Sequence, residues 1–412
     1  MSSTAAAAPQ LKGQLGQVIL AMLANTMGFW AWMSIAPLQK TYATSMGLNE
    51  GQISLMLATP VLVGALGRVI TGALTDRLGG RKMFTAVLLG AMPAVLLVAF
   101  AGSIKSFWLL VAAGFYLGVA GTIFAVGIPF SSAWYELKQR GFATGVFGMG
   151  MVGTAVAAFF TPRLATSIGY LNTHFVIAGS MVVMAALVWF FMKESPSWSP
   201  NRQPFVPKVM GALKLGITWQ MSFLYAVVFG GFVAFSTFLP KYLGTIYDID
   251  PIGAGTRTAS FAIAAVIARP FGGVLADKFG PKLITLISLA AVALLAVVVS
   301  VQPAEGIVTG FTFLAMAAML GLGMGSVFGW VGQLAPKDQV GSVSGVVAAA
   351  GGLGGYFPPL VMGMTYHAAT RSYALGLWLL VATALGALVL AVLLKGKRAD
   401  APAGADGRSA RA

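Results

Sequence analysis

The sequence contains no cysteine, and only 9% of its 412 residues are charged, among them 11 Asp and Glu and 2 His. Without cysteine there are no disulfide bonds and no thiolate metal ligands, although the redox compartment stays undetermined. No nucleophile–base pair and no metal-ligand cluster can be found along the chain. We therefore predict a protein that is not an enzyme and that has no metal or cofactor.

The sequence is instead rich in long apolar stretches. The chain is 58% hydrophobic with 52 glycines, and its mean hydropathy is +0.85. This leaves too little polar surface to cover a soluble core of such size. About 20 apolar residues suffice for a helix that crosses a bilayer. Twelve such stretches are present: 15–38, 51–74, 83–102, 107–133, 142–164, 171–192, 217–240, 254–276, 283–301, 307–332, 342–366 and 372–394.

The basic residues test this topology, because Lys and Arg accumulate in cytoplasmic loops. With twelve spans, 18 of the 26 basic residues fall on the side of the two termini. Six fall on the opposite side: Lys40, Lys105, Arg163, Lys241, Arg257 and Arg371. We therefore predict a multi-pass protein of the cell (inner) membrane, with the lipid bilayer as its surroundings and both termini cytoplasmic. Because the net charge of +15 is divided among short loops, it does not indicate nucleic-acid binding.

The domain organisation follows from the polar segments. The first residues, 1–14, and the tail, 395–412, are small and polar and are predicted to be disordered in the cytoplasm. The segment 193–216 lies at the midpoint and is rich in proline, as expected of a cytoplasmic linker. It separates two six-helix halves, 15–192 and 217–394.

The two halves repeat one another. With a shift of 201 residues, seven positions match: Arg68 with Arg269, Gly72 with Gly273, Leu74 with Leu275, Asp76 with Asp277, Arg77 with Lys278, Gly79 with Gly280, and Arg81 with Lys282. With a shift of 200, the segment Gly141–Gly145 (GFATG) matches Gly341–Gly345 (GSVSG). A period of half the chain is how many transporters are built, so we infer a duplication.

Arg68 and Arg269 are expensive residues to place within apolar spans. An arginine at the centre of a membrane helix costs about 2.5–3.5 kcal/mol on insertion scales. All eleven acidic residues fall in loops, at helix edges or in the tail, so none can neutralise the pair at mid-depth. The simplest partner is a mobile anion, and two guanidinium forks suit a planar oxyanion. The alternative is that each arginine extends to the membrane interface.

The segments that follow these arginines resemble a known loop signature. Between helices 2 and 3 of the major facilitator superfamily lies GxxxDRxGxRK, which is matched by GALTDRLGGRK from Gly72; GVLADKFGPK is similar to its weaker copy between helices 8 and 9. The Asp76 carboxylate can accept hydrogen bonds from helix N-terminal amides, and Gly72 and Gly79 let backbones approach. The alternative is that these loops only set topology. The expected gate residues are Gly72, Asp76, Arg77, Gly79, Arg81, Gly273, Asp277, Lys278 and Gly280.

Two glycine-rich regions, 124–153 and 340–359, resemble the signatures of the nitrate/nitrite porter family, and 221–236 resembles its seventh helix. In that family an arginine on helix 2 and another on helix 8 clamp the anion at mid-membrane. Arg68 and Arg269 occupy those places. The resemblance also implies that Phe124, Tyr225 and Phe229 line the pocket.

The glycines of these regions have two explanations. Gly148 and Gly150, like Gly351 and Gly352, could provide backbone N–H groups and room for an anion, or they could be helix-packing positions. One position departs from the family pattern, because Met151 stands where an asparagine is usual.

The resemblance implies a monomeric major facilitator transporter that imports nitrate by alternating access and serves nitrate assimilation. The coupling is either nitrite export or proton symport. Exchange is favoured because an empty site with two unpaired arginines is costly to close. Symport is favoured by chain length, although a mid-membrane carboxylate to carry the proton is missing. The alternatives are an antiporter of another small anion, such as cyanate or a carboxylate, and a non-cycling sensor or channel-like relative.

Overall fold

The computed structural model describes residues 14–136, 140–200, 205–336 and 339–394. Within these ranges no β-strand forms, and the only bridge is an isolated one between His367 and Ser372. Twelve described helices are long and apolar enough to cross a membrane, and they match the twelve predicted stretches, which confirms the all-α membrane fold. They are α1 (Leu15–Met46), α2 (Glu50–Leu78), α3 (Gly80–Ser103), α4 (Phe107–Ala133), α5 (Phe142–Ser167), α6 (Tyr170–Phe191), α7 (Gly216–Ile246), α8 (Pro251–Phe279), α9 (Pro281–Ser300), α10 (Ile307–Leu334), α11 (Val340–Thr365) and α12 (Ala374–Leu393).

The two helices that carry the repeated arginines, α2 and α8, are capped at their N-termini. The Asn49 side chain accepts a hydrogen bond from the Gln52 backbone N–H, and the Gln52 side chain accepts one from the Asn49 backbone. At α8 the Asp250 carboxylate accepts from two backbone N–H groups, and Pro251 occupies the first helical position. These caps satisfy N–H groups that a helix start leaves free, so both long helices begin at defined residues.

The same two helices end at glycines that the repeat relates. Gly79 has a φ of 88° and Gly280 a φ of 91°, backbone conformations that other residues rarely adopt. The chain turns there directly into α3 and α9. The two motif glycines are therefore required by backbone geometry, and their equivalence supports the inferred duplication.

Two of the helices are interrupted within the predicted glycine-rich regions. In α5 a 3₁₀ turn, Met149–Val152, separates two α-helical parts. The first α-helical part of α11 ends at Gly354, and the second begins at Phe357. Such turns interrupt the regular α-helical hydrogen bonds and mark functional or strained positions in many helices.

Contacts between the halves are concentrated in four helices. α2 lies along α11, and α5 lies along α8. Gly255 of α8 allows a close approach, because a Cβ atom there would stand 2.2 Å from the Ala158 carbonyl oxygen of α5. The arginine helices and the interrupted helices thus form the contact between the halves, while the exact domain boundaries stay a prediction.

The predicted linker, 193–216, contains a helix, Phe205–Leu213. Pro207 is compatible with it because the first helical turn needs no N–H at that position. The predicted disordered ends, 1–14 and 395–412, lie outside the described residues except for Gln14.

Three of the basic residues predicted on the side opposite the termini lie within helices and contact polar partners. Lys241 is in α7, only 2% exposed, and forms an ion pair with Glu50. Arg163 is in α5 and donates to the Thr256 hydroxyl at 2.8 Å. Arg257 is in α8 and pairs with a glutamate. All three are close to helix ends, so the charge bias is unchanged, but their partners give them structural roles.

The glycine that ends α8 provides a test. We expect Gly280→Ala to lower the free energy of unfolding by about 1–3 kcal/mol, since its backbone conformation strains any L side chain. Gly273→Ala is the matched control, because a Cβ there would meet nothing within 4 Å and the residue is helical. Thermal unfolding in detergent measures both. Equal melting temperatures for the two variants would contradict the assigned turn.

Candidate anion-binding site

Arg68 is buried inside the protein instead of extending to an interface. Its side chain is 2% exposed, on the middle of α2. Nε donates to the Gly121 carbonyl at 3.4 Å, and Nη1 donates to the Ala348 carbonyl of α11 at 3.2 Å. Nη2 is buried without a hydrogen-bond partner among the described residues. The alternative that Arg68 extends to the membrane interface is therefore wrong. The Nη2 amino group of Arg68 is left available to donate.

Arg269 lies on α8 and is partly exposed. Its guanidinium packs on α5, where a Cβ at Gly148 would stand 3.4 Å from Cζ. Nη1 contacts the sulfur of Met151, which is buried. Position 148 is equivalent to position 348 under the 200-residue shift. Each arginine therefore reaches from its own half to the same place on the glycine-rich helix of the other half.

Phe124 joins the two arginines. Its ring centre lies 5.3 Å from Cζ of Arg68 and 5.2 Å from Cζ of Arg269, so the two carbons are at most 10.5 Å apart. Phe229 also lies 4.9 Å from Cζ of Arg68 and stacks on Phe124 at 6.0 Å. These are cation–π distances, which partly compensate a buried cation. The structure brings together the arginines and aromatic residues that the sequence predicted.

Tyr225 completes the aromatic wall. Its ring is parallel to that of Phe229 within 4° at a centroid distance of 5.2 Å. Its hydroxyl is buried, and Arg269 lies close enough to donate a hydrogen bond to the hydroxyl oxygen. An arginine can only donate, so the O–H of Tyr225 is not used by this contact. A donor is therefore free beside the two cations.

Three of the four predicted glycines border this site. A Cβ at Gly148 would lie 3.4 Å from Cζ of Arg269, and one at Gly352 would lie 3.5 Å from Nη1 of Arg68. A Cβ at Gly351 would lie 2.3 Å from the Tyr225 ring. Gly150 differs, because a Cβ there would lie 2.5 Å from the Met22 carbonyl oxygen of α1. The structure thus places Gly150 at a contact between α5 and α1.

Trp32 of α1 belongs to the site and was not predicted. Its ring centre lies 5.6 Å from Cζ of Arg68, and its indole N–H donates to the Pro60 carbonyl at 2.8 Å. A Cβ at Gly64 or Gly121 would lie within 3 Å of the indole, so both glycines make room for it. No motif or repeat in the first span pointed to this residue.

No carboxylate pairs with either arginine in the described part of the chain. The ion pairs found there join Glu50 with Lys241, Glu305 with Arg257, and Asp248 with Arg371. In the last pair, hydrogen bonds from Arg371 lower the pKa of the Asp248 carboxyl below its usual value.

The structure adds one residue to the gate motif and departs from the expectation at one glycine. The Arg81 backbone N–H at the start of α3 donates to the Glu194 carboxylate at 2.8 Å, so Glu194 is an acceptor at this helix N-terminus. At Gly72 a Cβ would meet only Ala125 at 3.9 Å, so no close backbone approach requires glycine there. The charged motif residues are at the surface: Asp76, Arg77, Asp277 and Lys278 are exposed, and Arg81 is partly exposed.

Comparison with known proteins identifies the family. The model of the Major Facilitator Superfamily matches residues 18–359 and again 221–411. A relative named "Probable nitrate/nitrite transporter NarK2", from Mycobacterium tuberculosis (strain ATCC 25618 / H37Rv), is 52% identical over 383 residues, which cover 93% of this chain and 97% of the relative. The chain belongs to the nitrate/nitrite porter family of the major facilitator superfamily.

Other relatives of this porter carry related names. "Nitrite extrusion protein" of Bacillus subtilis (strain 168) is 34% identical, with 91% of the porter and 93% of the relative covered. "Probable nitrate/nitrite antiporter NarK1" of Thermus thermophilus is 35% identical over 83% of each chain. The porter is thus a multi-pass membrane transporter and not an enzyme, as predicted.

Among solved structures, a bacterial homologue of the human lysosomal transporter Spinster, inward-facing and occupied, matches the porter with a TM-score of 0.68 at 18% identity. The match covers 91% of the porter and 94% of that chain. At this identity the likeness shows the fold alone.

Gly351 generates the prediction for this site. We expect Gly351→Ala to destabilise the porter by about 1–3 kcal/mol, because the new methyl group would overlap the Tyr225 ring, which stacking on Phe229 holds in place. The control is Gly345→Ala in the same helix, where a Cβ would meet nothing within 4 Å. Thermal unfolding in detergent compares them. An unchanged melting temperature for Gly351→Ala would show that Tyr225 does not pack on α11.

Proposed function

We propose that this porter carries nitrate and nitrite across the membrane and binds the anion between Arg68 and Arg269. The observation that carries the proposal is the unpaired Nη2 group of Arg68 in a site that also holds Arg269 and the Tyr225 hydroxyl, with no carboxylate of the described residues paired to either arginine. The names of the relatives supply the substrate class, since they include nitrate/nitrite transporters and an antiporter.

Electrostatics supports an anion at this place. Two unit charges at most 10.5 Å apart repel each other by at least about 1.5 kcal/mol at an effective dielectric constant of about 20. Desolvation of the buried Arg68 adds to this cost. A monovalent anion between them would reverse the sign of the interaction and would accept the free N–H and O–H groups.

The shape of the site favours a small planar oxyanion. Guanidinium groups donate paired, coplanar N–H bonds, which match two oxygens of one ion. The rings of Phe124 and Phe229 are stacked within 28° and provide a flat apolar boundary. In this proposal the walls of the site are formed by Phe124, Tyr225, Phe229, Gly148, Gly351 and Gly352. Gly150 lies at the contact between α5 and α1.

Transport by alternating access requires that contacts between the halves break and reform. The ion pair of Glu50 on α2 with Lys241 on α7 joins the halves at the end of the molecule opposite the termini, and the Tyr373 hydroxyl donates to the same carboxylate at 3.1 Å. In the proposed cycle this buried cluster holds that side closed. The termini and the gate motif occupy the other side, which we propose to be cytoplasmic, with the porter acting as a monomer in the cell membrane.

The return step of the transport cycle without a bound anion favours exchange over proton symport. Closing both sides around two unpaired arginines would bury net positive charge, so the return step without an anion should be slow. The described residues offer no carboxylate beside the arginines to take up a proton instead. We therefore propose that nitrate import is coupled to nitrite export.

The paired forks can be tested by substitutions that keep the charge. We expect Arg68→Lys and Arg269→Lys each to reduce nitrate uptake into proteoliposomes by at least tenfold, since an ammonium group cannot donate two coplanar N–H bonds. Arg257→Lys is the control on α8, because its ion pair with Glu305 tolerates either cation. Uptake close to the unmodified rate in either central variant would contradict the paired-fork site.

The coupling mode can be tested with the unmodified porter. We expect nitrate to enter liposomes preloaded with nitrite and to enter empty liposomes at a much lower rate, with or without an acidic exterior. Uptake into empty vesicles that depends on a pH gradient would establish symport instead. Displacement by cyanate or a carboxylate but not by nitrate would assign another anion, and the absence of counterflow would indicate a sensor or channel.

A further inference from the structure

Asn25 of α1 is a buried polar residue that neither the gate motif nor the aromatic wall uses. Its side chain is 0% exposed, and both carboxamide atoms, Nδ2 and Oδ1, have no hydrogen-bond partner among the described residues. Buried polar groups in native proteins are nearly always paired, because an unpaired one loses its hydration without compensation. The carboxamide is therefore suited to a polar partner that is not part of the chain, such as a water molecule or an ion.

The position of Asn25 on its helix directs it toward the arginine pair. Asn25, Phe29 and Trp32 are spaced by four and three residues, so they share one face of α1. Trp32 approaches Arg68, and the Phe29 ring contacts the Phe124 ring at 6.3 Å. Asn25 follows on the same face, about 6 Å along the axis from Phe29 toward the side of the termini.

The interrupted part of α5 places the carboxamide close to Arg269 as well. A Cβ at Gly150 would lie 2.8 Å from Nδ2 of Asn25, so the side chain rests on the 3₁₀ turn at Met149–Val152. The next residue in that turn, Met151, contacts Nη1 of Arg269 through its sulfur. The absence of a side chain at Gly150 thus makes room for the carboxamide one residue from an arginine contact.

We propose that Asn25 is a further anion-binding residue, which donates a hydrogen bond through Nδ2 to the small oxyanion as it moves between the arginine pair and the side of the termini. The inference rests on the proposed function, because it concerns the same ion. A neutral carboxamide suits this place, since it provides a donor without adding a third positive charge. The ion is held there more weakly than between the arginines and can leave.

Nitrate-dependent thermal stabilisation and nitrate/nitrite exchange test the role of Asn25 in the full-length porter. We expect Asn25→Leu, which keeps the branching at Cγ but removes the donor, to raise the half-saturating nitrate concentration about tenfold in both measurements. The maximal exchange rate should change much less. Ser131→Ala is the control, because that hydroxyl is also buried without a partner but lies at the end of α4, and it should stay within about twofold of the unmodified porter.

A second variant decides the matter if Asn25→Leu does not fold. The Asn25→Asp side chain has the same shape and brings a carboxylate to the turn whose Met151 contacts Arg269. We expect this variant to melt at a higher temperature than the unmodified porter without nitrate and to lose its response to nitrate, because the carboxylate replaces the ion. A lower melting temperature with a retained nitrate response would overturn the inference.

The outcomes for the two proposals are distinct. If nitrate does not stabilise the unmodified porter, the proposed function fails. If nitrate stabilises it and Asn25→Leu responds at the same concentration, the proposed function remains and only the role of Asn25 is wrong.

Discussion

The structure depends on one unbalanced interaction: two cationic groups between the halves, one of them buried, that no carboxylate of the described chain neutralises. Arg68 hydrogen-bonds to the Ala348 carbonyl of α11, and Arg269 lies against Gly148 of α5. The 200-residue shift makes positions 148 and 348 equivalent. Each half therefore supplies one cation and one surface for the cation of the other half, so the site exists only where both halves meet.

The helices around the site are adapted to this arrangement. The arginine helices α2 and α8 are long, begin at side-chain caps and end at glycines with positive φ, so their length and register are well defined. The helices opposite them, α5 and α11, are interrupted and rich in glycine. A rigid helix thus presents each cation to a partner whose backbone can come close without side chains in between.

Most of the fold could be predicted from the sequence because the bilayer imposes a simple rule on length and polarity. The duplication and the scarcity of acidic residues pointed to Arg68 and Arg269, and the family resemblance added Phe124, Tyr225 and Phe229. Contacts that depend on three-dimensional packing could not be predicted. Trp32 lies in a span without a motif or a repeat partner and is identified only by its distance to Arg68. The burial of Lys241 depends on Glu50, a residue 191 positions away.

The two arginines differ in their access to water. Arg68 is 2% exposed, whereas Arg269 is partly exposed. Under the proposed function an arriving ion would meet Arg269 while some of its hydration shell is intact and would reach Arg68 only after shedding the rest. Dehydration would then occur in two smaller steps, each offset by one guanidinium group, and the duplicated halves would play unequal parts in a single crossing.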